Sequence, residues 1–287
     1  MRACVLAATV TIVLGALSSA RGEETAAALL AEARAALAAG RPEEALGLAG
    51  KAIEEEPDSR GAYRFRAGLL DRMDEHERAI ADYDKLIELD PDQAELYDLR
   101  GSARFKLGRI EPSITDFDKA IELAPQRERE HWKRGISYYY AGRYDEGRRQ
   151  FEGYQTFDDN DVENAVWRYL CMAKSEGVER ARQSLLKIKD DRRVPMMQVY
   201  ALFAGKCEPD DVLEATRAGD PGAEELKGRL FYAHLYLGLY FDAAGDATRA
   251  REHVVTAADE HRIGHYMWHV ARVHRMMHEG GREEGNQ

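Results

Sequence analysis

The segments AIEEEP (residues 52–57), LIELDP (86–91) and AIELAP (120–125) decide the fold, because one phrase returns three times. A proline closes each phrase, and the three stand 34 residues apart: Pro57, Pro91 and Pro125. Self-similarity at a fixed period of about 20–50 residues is the signature of a repeat architecture. Each proline would end a helix, since it lacks the N–H and its ring clashes with the preceding turn. The chain is therefore predicted to be an array of helical units.

Four consecutive frames of 34 residues repeat the same side-chain sizes: 26–59, 60–93, 94–127 and 128–161. Frame positions 8 and 20 carry small residues, which would let two helices approach closely: Ala33, Ala67, Gly101 and Gly135, then Ala45, Ala79, Ser113 and Gly147. Turn residues occupy position 15: Gly40, Asp74, Gly108 and Gly142. Position 24 holds the residues that would fill the space between helices: Ala49, Tyr83, Phe117 and Phe151. Each frame thus reads as two amphipathic helices.

This combination of spacing, size and proline placement resembles the tetratricopeptide repeat (TPR). The resemblance implies an all-α fold, a right-handed helical solenoid of stacked helix pairs with a concave inner face. One helix pair cannot bury its own apolar stripe, so neighbours share a continuous core. The fourth frame departs from the pattern, because Asp159 stands where a proline is expected.

The domain organisation follows from the frame. We predict an N-terminal array of about four repeats over residues 23–161, and degenerate TPR-like helices over 162–278. In the latter, helices are expected near 165–175 and 178–189, and a clean repeat returns at 231–264, followed by a capping helix near 265–277. The Gly-rich polar tail 279–287 is predicted to be disordered.

The first 22 residues differ from the rest. Arg2 gives a positive start, an apolar run spans residues 5–17, and Ser18 and Ala20 are small. This order is typical of a secretory signal peptide. We expect its cleavage and export to the periplasm or cell envelope as a soluble protein, with an uncleaved anchor as the alternative. No lipobox cysteine is present near the cleavage position, so no lipid anchor is predicted.

The net charge limits the classes of partner that the protein can bind, and the cysteine content limits its possible disulfides. The chain has 41 Lys and Arg against 52 Asp and Glu, and loss of Arg2 and Arg21 would leave a net charge of −13. Such a surface repels nucleic acid and anionic lipid. Cys171 and Cys207 would remain, either paired in an oxidising compartment or as two thiols.

Beyond generic repeats, the order of segments resembles the family of the bacterial lipoprotein NlpI. The resemblance is carried by AVWRYLCMA (165–173), VYALFAGK (199–206) and above all FYAHLYLGLYFDAAGD (231–246). It implies an all-helical homodimer that acts as a periplasmic adaptor, bringing a peptidoglycan hydrolase to a processing protease. The missing lipobox departs from that family.

Candidate binding residues follow from the repeat geometry. In TPRs, positions 2, 5, 9, 12 and 13 of the first helix tend to face the concave side. We predict a protein-binding groove, charged at one end and aromatic at the other, for proteins or peptides: Arg64, Arg72, Asp98, Phe105, Trp132, Tyr139 and Tyr140. Exposed rings of this kind make strong hot spots. The alternative is that the rings pack against the next helix pair.

Six of the nine histidines fall between His253 and His278. His265 and His269, at spacing i, i+4, are weak candidates for a metal site. His274 and His278 form a second such pair, on a different face of the same helix. Neither pair has an acid at the matching turn, so packing around a capping helix is the blander alternative.

Catalytic motifs are missing from the sequence. It contains no GxSxG, P-loop or GxGxxG, and acids such as Asp158, Asp159 and Asp161 fall where they would cap helices. We predict no enzyme and no cofactor, but a non-enzymatic binding scaffold in the bacterial envelope. An envelope assembly factor without a protease partner, and a His-rich metal carrier, remain the alternatives.

Overall fold

The computed structural model describes residues 25–280, and its regular structure is helical, without a β-strand in that range. The predicted all-α TPR-type solenoid is confirmed. The signal peptide predicted at 1–22 lies outside the described residues. So does most of the predicted tail, although its first two residues continue the last helix.

The described chain divides into two compact units, which meet in sequence at residues 103 and 104. The helices of the first unit are α1 (25–38), α2 (Pro42–Glu55), α3 (Arg60–Arg72), α4 (His76–Leu89) and the greater part of α5 (Ala94–Lys106). Within it, α3 packs against both α2 and α4. Each helix buries one stripe, as α4 does with Ala79, Tyr83 and Leu86.

The second unit runs from Arg104 to the end of the described chain. Its helices are α6 (Ile110–Leu123), α7 (Trp132–Tyr140), α8 (Tyr144–Tyr154), α9 (Val162–Glu176), α10 (Val178–Gln183), α11 (Met196–Phe203), α12 (Pro209–Ala215), α13 (Ala223–Ala243), α14 (Ala247–Val255) and α15 (Tyr266–Gly280). The neighbours α6 to α9 pack in sequence order, and α13 packs on α14 and α9. One apolar core runs through this unit.

The turns between paired helices confirm the predicted turn position. Residues at frame position 15 adopt the left-handed conformation, with φ between 62° and 82°: Gly40, Asp74, Gly108, Gly142 and Gly245. This conformation costs glycine little, and aspartate tolerates it better than most residues do.

Small residues do lie where helices cross. A Cβ on Gly135 would meet the Phe151 ring at 2.6 Å, and one on Gly238 would meet Val254 Cγ2 at 2.5 Å. Both contacts join frame position 8 to position 24. The ring or branched side chain occupies the space that the missing Cβ leaves.

Ion pairs at a 16-residue spacing link successive helices. Arg66 pairs with Asp82 at 2.6 Å in the first unit, and Arg134 pairs with Asp118 at 3.1 Å in the second. Arg100 with Asp84 and Arg168 with Glu152 repeat the spacing. Acidic side chains of the neighbouring helix thus engage one arginine on each of α3, α5, α7 and α9.

The degenerate region departs from the predicted helix 178–189, because α10 ends at Gln183. Side chains satisfy the backbone carbonyls there: the Arg168 guanidinium donates to Ser184 O at 2.6 Å, and the Tyr200 hydroxyl donates to Leu186 O at 3.0 Å. The following residues run irregularly to Pro195. This stretch carries Arg193 towards α9.

The two cysteines of the described range, Cys171 and Cys207, do not form a disulfide. Cys171 is a buried free thiol in α9, and Cys207 is a partly exposed one after α11. Burial raises the pKa of the Cys171 thiol, so it stays protonated and serves as a small core residue.

Among the described residues, no helix has the length and apolar character needed to cross a bilayer.

Candidate functional site

The predicted groove residues of the first unit do not behave alike. Arg64 is exposed, and its guanidinium donates to Glu95 at 2.8 Å and to Gln93 at 3.1 Å. Arg72 is also exposed. Asp98 is buried, with 7% of its surface exposed. Two of the three predicted charges therefore lie on the surface.

The predicted aromatic residues of the second unit meet α15. Phe105 is fully buried and stacks on the Tyr266 ring at 5.4 Å. Trp132 meets the same ring edge-on at 5.3 Å. The Tyr140 hydroxyl lies 3.2 Å from His274 Nδ1. The capping helix thus covers the ring-bearing face of α7, which is the packing role that the sequence left as an alternative.

Tyr139 is buried as well, and its ring packs edge-on against Trp167 at 5.5 Å. Its hydroxyl donates to Asp242 Oδ2 at 3.3 Å. Of the four predicted rings, Trp132 lines a cavity of this unit.

That cavity, which we call the Trp132 cavity, has a volume of about 200 Å³. Its walls combine rings and apolar side chains with a few polar groups: Trp132, Ile136, Phe151, Tyr154, Trp167 and Met267, with Asp161, Glu163, Asn164, Arg193 and His265. Helices α7, α8 and α9, the irregular linker at Arg193 and the start of α15 supply these residues. Concave, mainly apolar pockets with a few polar groups are the usual form of binding sites.

Two residues that line the cavity each carry a buried polar atom with no hydrogen-bond partner within the described part of the chain. One is the Trp167 indole Nε1, a donor, and the other is Asn164 Oδ1, an acceptor. The Asn164 amide donates to Gln155 Oε1 at 3.1 Å, which leaves its oxygen as the free group. Buried groups of this kind cost about 1–3 kcal/mol each when they stay unsatisfied.

Carboxylates hold Arg193 at the cavity. Its guanidinium lies 2.6 Å from Asp161 and 2.7 Å from Glu163. Asp191 pairs with it at 2.5 Å. Arg193 is therefore saturated with acids and is not available to an anionic ligand.

Burial raises the pKa of Glu163 above its ordinary value, against the opposing influence of Arg193. Glu163 also accepts a hydrogen bond from the Tyr236 hydroxyl at 2.7 Å. Burial lowers the pKa of His265, so its ring is neutral near pH 7. The charged groups that line the cavity are two carboxylates, those of Asp161 and Glu163, and one guanidinium, that of Arg193.

Among the residues of this wall, the sequence pointed to Trp132 as a binding residue and to His265 as a metal candidate, but not to Asn164 or Arg193. Asp161 was read as a helix cap, and its side chain does accept from Glu163 N at 3.0 Å at the start of α9. Asn164 offered one signal of a site, since it is a polar residue among the apolar positions of the predicted helix that became α9. Arg193 offered none, because it reads as part of a charged linker.

The predicted metal candidates His265 and His269 lie at the start of α15. His265 directly precedes that helix, and its Nδ1 lies 3.3 Å from the Tyr232 hydroxyl. Within the second unit's described residues, the side chains that do converge are Asp242, His274 and His278. The acid that the sequence lacked for the second histidine pair comes from α13.

Comparison with known proteins identifies the repeats. Two family models, both described as tetratricopeptide repeat, match residues 30–94 and 66–131. Residues 30–131 are tetratricopeptide repeats. Among curated proteins, no significant match to the chain was found.

Solved structures of TPR proteins resemble this fold over differing shares of the chain. A tetratricopeptide repeat protein from Parabacteroides merdae has a TM-score of 0.58 at 12% identity, covering 89% of this chain and 99% of its own. MamA reaches 0.53 at 19% identity, over 56% of this chain and 87% of its own. YrrB, a TPR protein with an unusual peptide-binding site, reaches 0.51 at 17%, over 66% and 90%. These likenesses establish the TPR fold and nothing more specific.

Proposed function

We propose that this protein is a non-enzymatic TPR scaffold that binds a peptide segment of another protein in the Trp132 cavity. The observation that carries the proposal is the pair of unsatisfied groups, Trp167 Nε1 and Asn164 Oδ1. One donates and the other accepts, and a peptide group offers the matching C=O and N–H. Satisfying both would recover the desolvation cost of leaving them buried.

The walls suit the side chain next to that peptide group. Trp132 is half-buried at the edge of the cavity and can cover an aliphatic stem or a cation. Asp161 and Glu163 outnumber Arg193 among the lining charges. The partner segment is therefore expected to carry Lys or Arg rather than an acid or a C-terminal carboxylate.

A binding experiment with matched variants tests this proposal. The mature chain would be probed with arrays of short peptides of equal length, in which one central position is Lys, Arg, Leu or Glu. Basic peptides should bind best, and the best one should bind at least about tenfold more weakly to Asn164→Ala, which loses the oxygen acceptor. Asn160→Ala, at an exposed site four residues away, should keep the wild-type affinity.

A second pair of variants separates the charge from the amide contact. Glu163→Gln should reduce the preference for Lys and Arg, while Glu179→Gln, the same change at an exposed position of α10, should leave it intact. Circular dichroism would confirm that all variants are folded. A preference for acidic peptides, or an equal loss of peptide affinity in Asn164→Ala and Asn160→Ala, would contradict the proposal.

We also propose that the scaffold works in the bacterial cell envelope, on the basis of the signal-like residues 1–22. There it would act as an adaptor that raises the effective concentration of one bound protein beside another. A cell-wall hydrolase and a protease are the pair suggested by the NlpI resemblance, which also suggests a homodimer. A TPR assembly factor with other clients has the same physics and is the second candidate.

Cell fractionation tests the proposed location of the protein, and analytical sedimentation tests whether the mature chain is a homodimer. Mass spectrometry of the protein from a periplasmic extract should find a chain that begins near residue 21 or 23. An intact N-terminus in the cytosolic fraction would contradict the proposed export. Crosslinking of the mature form in envelope extracts, compared between wild type and Asn164→Ala, would identify the partners that use the cavity.

A further inference from the structure

The end of α13 and the middle of α15 bring three metal-ligating side chains together, away from the Trp132 cavity. Asp242, His274 and His278 each offer one ligand atom, and these atoms lie within 4.8 Å of one another. The separation of His278 Nε2 from Asp242 Oδ1 is 3.6 Å. The two histidines stand at i, i+4, so they share one helix face, and their rings are 4.3 Å apart.

We propose that Asp242, His274 and His278 bind one divalent transition-metal ion, and that zinc is the ion this donor set fits best. Two imidazoles and a carboxylate are a usual three-ligand zinc set, with water completing the tetrahedron. Bond lengths of about 2.0–2.2 Å place tetrahedral ligand atoms about 3.3 Å apart. The ligand atoms therefore need shifts of about 1 Å, and His278, with a side chain 52% exposed, is free to make them.

Neighbouring side chains orient the ligands in the way that outer-shell groups do in metal sites. The Tyr140 hydroxyl engages His274 Nδ1 at 3.2 Å, which leaves Nε2 as the nitrogen available to an ion. Lys174 Nζ and the Tyr139 hydroxyl both hold Asp242 Oδ2, at 2.8 Å and 3.3 Å. Oδ1 is the oxygen that faces His278, so the carboxylate can keep Lys174 and still ligate.

Such an ion would fasten α15 to α13. Asp242 belongs to the long helix of the C-terminal repeat, while α15 covers the rings of α7. Binding only to the folded chain would stabilise it in proportion to the zinc concentration above the dissociation constant. The inference does not depend on the proposed peptide binding, because it uses none of the cavity residues.

Isothermal titration of ZnCl₂ into untagged, metal-free mature protein tests the site. Wild type should take up one equivalent of zinc, with an accompanying rise in Tm. His278→Ala and Asp242→Asn should bind at least about tenfold more weakly and lose the rise in Tm. His278 is exposed enough for its replacement to leave the fold intact, which circular dichroism would verify.

A rival cluster supplies the matched control. His234 and His253 lie in the same unit with their Nδ1 atoms 2.9 Å apart, so His253→Ala removes a histidine from another group of close imidazoles. Zinc binding should survive that change. Absence of saturable zinc uptake by wild type, or its loss in His253→Ala but not in His278→Ala, would overturn the proposal. Cobalt provides a second readout, because a tetrahedral site should give visible absorption bands that Asp242→Asn abolishes.

Discussion

Gly238 shows how closely a single position controls helix packing. The site where its Cβ would stand lies 2.5 Å from Val254 Cγ2 and 3.2 Å from both Ala250 O and Val254 N. Two of those three atoms are backbone, which cannot rotate away as a flexible side chain can. The predicted need for a small residue at frame position 8 thus has a direct steric cause.

Gly238→Ala is expected to destabilise the chain by about 1–3 kcal/mol, because overpacking forces α13 and α14 apart. Gly228 lies in the same helix, and a Cβ there meets nothing within 4 Å. Gly228→Ala should therefore be neutral or stabilise by up to about 1 kcal/mol through helix propensity. Urea denaturation of both variants measures the difference, and equal stabilities would refute the crossing argument.

His234 makes stability depend on pH. Burial lowers its pKa to about 4, with help from His253 and His261, from an ordinary value of 6.5. Between those two values the unfolded chain binds a proton that the folded chain does not bind. Stability is therefore expected to fall as the pH drops from 6.5 towards 4.

Replacing that histidine should flatten the profile. His234→Asn removes one titrating group, which contributes a slope of at most about 1.4 kcal/mol per pH unit. Urea denaturation at pH 7.0, 5.5 and 4.5, with a chelator present, measures the slopes for both proteins. If wild type and variant lose stability in parallel, His234 is not responsible.

Among the helices, α15 has the most unusual place. It lies on the ring-bearing face of α7, where Tyr266 meets Phe105, Trp132 and the Lys133 ammonium, the last at 5.8 Å from its ring centroid. Helix α15 of the same chain therefore covers the face of α7 that the repeat pattern predicts to bind a partner. Two residues of α7, Trp132 and Ile136, also line the Trp132 cavity.

Tyr266→Ala should cost about 2–3 kcal/mol, somewhat less than a fully buried aromatic residue, because Tyr266 is only half-buried. Met277 lies on the same helix with 42% of its surface exposed. Met277→Ala should change stability by no more than about 0.5 kcal/mol. Thermal melts of both would show a clear drop in Tm only for Tyr266→Ala if α15 is anchored through this ring.

For the whole molecule, the balance of charge favours a basic partner. The chain carries a formal net charge of −11 at pH 7. A field of this sign attracts cationic segments and raises their association rate. Many of the arginines are already paired with acids, as Arg66 and Arg134 are, so the excess negative charge remains for long-range attraction.

Affinity for a basic peptide should therefore fall as salt rises. The Debye length shrinks from about 10 Å at 0.1 M to about 3 Å at 1 M, which screens long-range attraction but leaves the amide contacts in place. Surface plasmon resonance at increasing NaCl should show a slower association rate and a nearly constant dissociation rate. An affinity that rises with salt would argue for an apolar or acidic partner instead.

The repeat could be predicted because its cause is local and periodic. Size, turn and helix-ending residues recur every 34 positions, so the helix pairs, the left-handed turns at Gly108 and Gly142, and the crossing at Gly135 all follow from spacing. The same logic fails where the period weakens. Helix α10 stops at Gln183, and the carbonyl of the next residue, Ser184, accepts a hydrogen bond from Arg168 of α9.

The Trp132 cavity and the Asp242, His274 and His278 cluster depend on contacts between helices, and the spacing of residues in the sequence does not predict those contacts. The sequence by itself determined that this protein is all-helical and built from TPR pairs, since the size, turn and helix-ending residues of the 34-residue period mark the paired helices. Only the tertiary structure decided that α15 covers the rings of α7, that Arg193 joins Asp161 and Glu163, and that Asp242 meets His274. Such meetings bring together residues up to 134 positions apart, as Tyr140 and His274 are, and they are settled by packing rather than by local propensity.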